Sequence, residues 1–159
     1  AVLRAMKPET VMTHNFADKH NTHLGTALNV VRAIRLLPKA DRPKRLLGGE
    51  IWRSLDWVSD QEKVRLDAGG RDALAAALMG VFDSQIAGGK RYDLATIGRR
   101  RANATYGDSH AVDDLEQVAF AIDMTPMIED DSLAPMDFIQ GFVDRFVGEL
   151  RDTLRSAGG

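Results

Sequence analysis

The chain contains no cysteine. Disulfides and thiolate metal sites are excluded, and a reducing, cytoplasmic setting is the expectation that fits. No apolar run approaches the roughly 20 residues that a membrane-spanning helix needs, so no membrane span is expected. No charged-then-apolar leader is visible at the start. The charge is not one-sided either. Lys and Arg number 21 against 23 Asp and Glu, for a net charge of −2 and a pI near 6.1. That balance does not call for nucleic acid or an anionic membrane as partner. Several signature patterns are missing too. There is no H-E-x-x-H, no G-x-G-x-x-G and no G-x-S-x-G. Gly88-Gly89-Lys90-Arg91 is not a phosphate loop, because Ser84 stands where the first glycine is required and Arg91 follows the lysine. Nucleotide-binding and serine-hydrolase readings are therefore unsupported. The first residue is Ala1 rather than Met, as in a processed product or a piece of a longer chain.

What is present reads as an ordinary globular composition. Apolar residues make up 44% and charged residues 28% of 159 residues, which suits one domain with a modest core. Thr10 to His14 reads as a short strand. Leu24, Ala27, Leu28, Val31, Ile34 and Leu37 recur at helical spacing, with Asn21 or Thr22 as the cap and Pro38 as the stop. Residues 45 to 53 are strand-like. Residues 72 to 82 and 93 to 106 read as helices, separated by the Gly88-Gly89 break. Val118 to Met124 is a second clear strand. Pro126 and Pro135 bracket a loop whose acidic Glu129-Asp130-Asp131 is most simply solvated. Ile139, Phe142, Val143, Phe146, Val147, Leu150 and Leu154 then mark one face of a final amphipathic helix. That face either packs on the body of the domain or forms an oligomer seam. Strands alternating with helices predict an α/β layer fold with some parallel pairing and a small sheet.

Three of the four histidines, His14, His20 and His23, fall in one stretch with Asp18 and Asn21 among them. The stretch joins a strand to a helix N-terminus, where sites gather in open α/β sheets. Imidazole suits zinc, and a catalytic zinc takes three protein ligands plus water. His20 and His23 are three apart, so one helical turn would bring both rings to one side. With the cap at Asn21 or Thr22, His20 instead stands just outside the helix. Capping and loop hydrogen bonds are the competing explanation for the same residues.

His20-Asn21-Thr22-His23, followed by an amphipathic helix with small residues, resembles the second motif of the PIG-L/LmbE family, usually written His-Pro-Asp-His. Asp83-Ser84-Gln85 is similar to a His-Ser-Gln segment of that family. Arg99 to Thr105, Ser109-His110 and Val118-Ala119-Phe120 also look family-like, so that the resemblance spans roughly positions 10 to 125. It implies the C-terminal part of a Rossmann-like three-layer deacetylase fold, a single partial α/β domain over residues 1 to 159. It also implies zinc-dependent hydrolysis of an N-acetyl group from a small amino-sugar conjugate of the N-acetylglucosaminyl type. In the family one zinc is held by His and Asp of an N-terminal Ala-His-Pro-Asp-Asp motif and by the last His of the second motif. By that mapping His23 is a zinc ligand. His20 is then the catalytic residue that stabilises the oxyanion or protonates the leaving amine.

Two departures bear on this expectation. No Ala-His-Pro-Asp-Asp occurs in the sequence, so the zinc site is expected to be incomplete in this chain. A missing N-terminal half or a homo-oligomer would then be needed. Asn21-Thr22 replaces Pro-Asp, which removes a carboxylate able to orient a neighbouring histidine, and Asp18 is a candidate substitute. Among other residues, Arg53 could hold an acidic group of the substrate, or else pair with Glu50 or Asp56 at the surface. His110 could line the site, or be an ordinary loop histidine. Trp52 and Trp57 could stack on sugar faces, though tryptophan more often fills a core edge. Arg99-Arg100-Arg101 points three ways on a helix and is expected to be solvated or ion-paired. Two further readings compete with the deacetylase: a non-catalytic binding or assembly module of the same fold, and a self-contained His14/His20/His23 metal site.

Overall fold

A computed structural model describes residues 1 to 158. The elements follow in the order α1 (Val2–Met6), β1 (Thr10–His14), α2 (Asn21–Arg35), β2 (Arg45–Gly49), β3 (Lys63–Asp67), α3 (Asp72–Gly80), α4 (Asp83–Ala87), α5 (Tyr92–Tyr106), β4 (Val118–Asp123), α6 (Pro126–Glu129) and α7 (Pro135–Ser156). The fold is mixed α/β. Four strands form one mixed sheet, in the order β1-β2-β4-β3, with helices flanking it. β1 and β2 run parallel with Thr10 opposite Arg45 and His14 opposite Gly49. β4 runs antiparallel to β2, with Leu47 opposite Asp123 and Gly49 opposite Ala121. The parallel pair is joined through α2, as parallel strands require.

The chain divides into two compact units, residues 1–64 with 121–159 and residues 65–120. In the first unit, α2 turns Ala27, Val31 and Ile34 inward. Val31 and Ile34 pack with Leu46 of β2 and with Met124, Met127 and Ile128, and Val11, Phe16 and Phe138 close around them. Two arginines hold the loop after α6. Arg35 donates to the carbonyls of Met127 (2.8 Å), Asp130 (2.9 Å) and Leu133 (2.9 Å). Arg42 donates to the Ile128 carbonyl (2.6 Å) and to both carboxylate oxygens of Asp131 (2.6 and 3.0 Å). The acidic loop expected to be merely solvated is therefore tied down through Asp131. In the second unit, buried Asn103 donates to the Val118 carbonyl (3.1 Å), and Gln117 donates to Asp72 (2.8 Å).

Three local expectations are corrected. β2 stops at Gly49 rather than continuing to Arg53, because the chain bends away at residues 51–53. The loop between Pro126 and Pro135 begins with the helical turn α6, for which Pro126 is pre-set at the first position. His20, not Asn21 or Thr22, is the residue that precedes the first turn of α2.

Candidate metal centre

β1 ends on His14, and α2 begins one residue after His20. The six-residue connection between them lies at the carboxyl ends of the parallel strands, and buried side chains give it one shape. Asn15 is wholly buried. Its amide donates to the Gly49 carbonyl (2.8 Å), and its side-chain oxygen accepts from the backbone N–H of Ala17 (2.8 Å). Gly48 makes this approach feasible, because a Cβ there would lie 3.0 Å from the Asn15 Cα and would strike the Met124 sulfur.

Asp18 is the second anchor, at 6% exposure. One carboxylate oxygen accepts from the backbone N–H of His20 (3.2 Å), the other from that of Trp52 (3.3 Å). The first oxygen also stands 3.3 Å from Nδ1 of His23. Burial pushes the Asp18 carboxyl up, but the His20 N–H, the His23 ring and the Trp52 N–H outweigh it and hold the group below the ordinary carboxylate range. Asp18 is thus an anion at neutral pH.

His14 and His23 stack face to face, with ring centroids 3.9 Å apart and planes within 2°. Burial lowers the His14 pKa first and the neighbouring His23 lowers it further, against the pull of Asp18. A neutral imidazole with a free lone pair is the form that ligates metal. His23 Nδ1 is buried without a hydrogen-bond partner, although it lies within ion-pair distance of Asp18. His14, Asp18 and His23 each offer one donor atom, and the three donors lie within 4.8 Å of one another. Two imidazoles and a carboxylate on one short loop could therefore hold a metal ion, and no fourth donor from His, Asp or Glu joins this group among the described residues.

The other expected site residues divide. His20 does not join the donor group. It is exposed, with its ring centroid 5.3 Å from that of His23 and 4.6 Å from that of Trp52. Trp52 is half-buried beside it rather than in the core. Arg53 donates to the Ala17 carbonyl (2.7 Å), bracing the same loop from outside. His110 belongs to the second unit, where it is exposed and its N–H is held by Asp108 (2.9 Å). Arg101 of the basic triplet lies 3.8 Å from Asp72.

The sequence signal for the donor group was the histidine stretch itself. It also offered Asp18 as a candidate carboxylate beside a histidine, and Asp18 lies 3.3 Å from His23 Nδ1 while accepting from the Trp52 N–H just beyond β2. No protein-family model, no curated protein and no solved structure matches this chain.

Proposed function

We propose that this chain carries part of the metal site of a zinc-dependent hydrolase of the PIG-L/LmbE deacetylase type, with a Rossmann-like arrangement around β1, α2 and β2. The substrate class is an N-acetylated amino-sugar conjugate. The observation that carries the reading is the convergence of His14, Asp18 and His23 on one loop at the carboxyl ends of parallel strands. The donor set suits zinc, being two nitrogens and one oxygen, and leaves room for the open position that a catalytic zinc keeps. The buried, unbonded Nδ1 of His23 is the kind of polar atom a ligand would satisfy.

Zinc, when bound, would polarise an amide carbonyl and lower the pKa of its water toward neutrality. This chain's residues would hold the ion and supply one proton, and the carboxylate that takes the water's proton would come from outside this donor group. Asp18 supplies negative charge beside His23. Burial keeps His14 neutral and ready to donate its lone pair. His20, exposed beside the donor group, would give a proton to a departing amine or face a developing oxyanion. Its ring packs against Trp52, which limits its freedom and offers an aromatic wall to a sugar.

The test is zinc content of the purified chain after dialysis, beside His23→Ala. One zinc per chain, lost in the variant, is the expected result, and hydrolysis of an N-acetylglucosaminyl conjugate is then assayed with His20→Ala as the second control. A wild-type chain with no zinc would sink the reading of His14, Asp18 and His23 as a self-sufficient donor set and favour a fragment of the site or a non-catalytic binding module. Zinc without amide hydrolysis would retain the site and reject the deacetylase.

A further inference from the structure

α7 has two apolar rows, and among the described residues one of them is seated while the other is exposed. On the first, Ile139 and Phe142 are buried. Phe138 meets Phe16 and Phe142 edge-on, and Trp57 meets Phe142 the same way. Arg145 lies over the Phe142 ring and pairs with Glu62 at 2.7 Å. Glu149 accepts a hydrogen bond from Ser59. These contacts seat the helix on its unit.

The second row is Met136, Val143, Val147, Leu150 and Leu154, exposed by 65, 37, 36, 47 and 64%. From Val143 onward the steps are four, three and four residues, the spacing of a heptad seam. At 3.6 residues per turn the five positions fall within about 60° of one another. Beside them, roughly 70–110° round the helix on the side away from the seated face, run Asp137, Asp144, Arg151 and Arg155. The signs sort by position: acids in the first half of the helix, bases in the second.

That order discriminates between partners. A parallel copy would leave the two charged rows on opposite sides of the seam, so that Asp144 would meet neither arginine of the second copy. An antiparallel copy turned about a point near Gly148 sets Val143 on Leu154 and Val147 on Leu150. It also places Asp144 between Arg151 and Arg155 of the second copy, twice by symmetry. We propose that this face of α7 is an interaction surface for a second copy of the same chain, docked antiparallel, with the exposed row as its seam and the Asp144–Arg151/Arg155 pairs setting its direction.

Sedimentation equilibrium of the whole chain, from micromolar to near-millimolar concentration, should show the mass rising from one chain of 17.5 kDa toward two. Added salt should weaken the association, because the ion pairs are exposed. Asp144→Arg should weaken it about tenfold or more, by setting like charges together. The triple change Asp144→Arg, Arg151→Asp, Arg155→Asp should restore it. The absence of cysteine permits a test of direction that does not depend on those variants. Val143→Cys and Leu154→Cys chains, mixed and mildly oxidised, should give the mixed disulfide, with little from either chain alone. A chain that stays monomeric throughout, a dimer indifferent to both charge changes, or homodisulfides in place of the mixed one would each overturn the proposal.

Discussion

Replacing Asp18 by Asn keeps shape and removes charge, and its cost can be worked from the contacts. The carboxylate serves two backbone donors with two different oxygens, the His20 N–H at 3.2 Å and the Trp52 N–H at 3.3 Å. An amide offers one oxygen and one NH2. Whichever way it turns, one of the two backbone N–H groups faces another donor. Asp18 is 6% exposed, so water does not relieve the conflict. Losing a charged hydrogen bond and stranding a donor costs about 1.5–3 kcal/mol. With a urea slope of roughly 1–3 kcal/mol/M the midpoint should fall by about 1 M at unchanged slope. Urea titration with a metal chelator present, followed by tryptophan fluorescence, isolates this from any metal effect. The pH dependence gives a second readout. The Asp18 carboxyl is held below its ordinary value, so its contribution is present above the unfolded carboxyl pKa and disappears as pH falls through the lower, folded one. The wild-type advantage over Asp18→Asn should therefore shrink in acid below the usual carboxylate range. A midpoint within about 0.3 M of wild type at neutral pH would refute the account of Asp18 as the loop's anchor.

Other outcomes follow from the packing. Gly48→Ala should destabilise by about 1–3 kcal/mol in thermal unfolding, because the new methyl meets the Asn15 backbone, which cannot swing aside as a side-chain end could. The same variant should bind zinc more weakly, since Asn15 follows His14 directly; unchanged binding would separate the loop from the strand beneath it. Arg42→Met should cost about 1–3 kcal/mol in urea by stranding the carbonyls of Leu37, Arg35 and Ile128. It should leave zinc content unchanged, and lost zinc would mean the arginine reaches the site through the core.

Much of the skeleton was legible in the sequence because periodicity speaks directly of burial. β1 falls on the expected residues, and α2, α5, β4 and α7 lie within a few residues of expectation. β3 was not legible. Lys63, Arg65 and Asp67 leave only Val64 and Leu66 to signal a strand, too few for an alternation to stand out. β2 reads long because Ile51 and Trp52 look like strand residues, whereas the Trp52 N–H is taken by Asp18 and the chain bends. The histidine stretch was visible as a candidate site, but its internal division was not. Spacing alone pairs His20 with His23. The fold instead pairs His14 with His23, because His14 ends a strand whose register against Gly49 brings it over the first turn of α2. No sequence pattern encodes that register.

The loop that carries His14, Asp18 and His23 is shaped by Asn15, by Asp18 itself and by Arg53, all through contacts to backbone groups of the protein. The ordering entropy of the loop is thus met during folding, and little of it is left to oppose a ligand. In a zinc finger the metal's binding energy is spent on folding and a chelator unfolds the domain. An ion bound at the proposed centre would then be able to leave and return with the backbone in place, so that occupancy would follow the free metal concentration while the amount of folded protein stays constant.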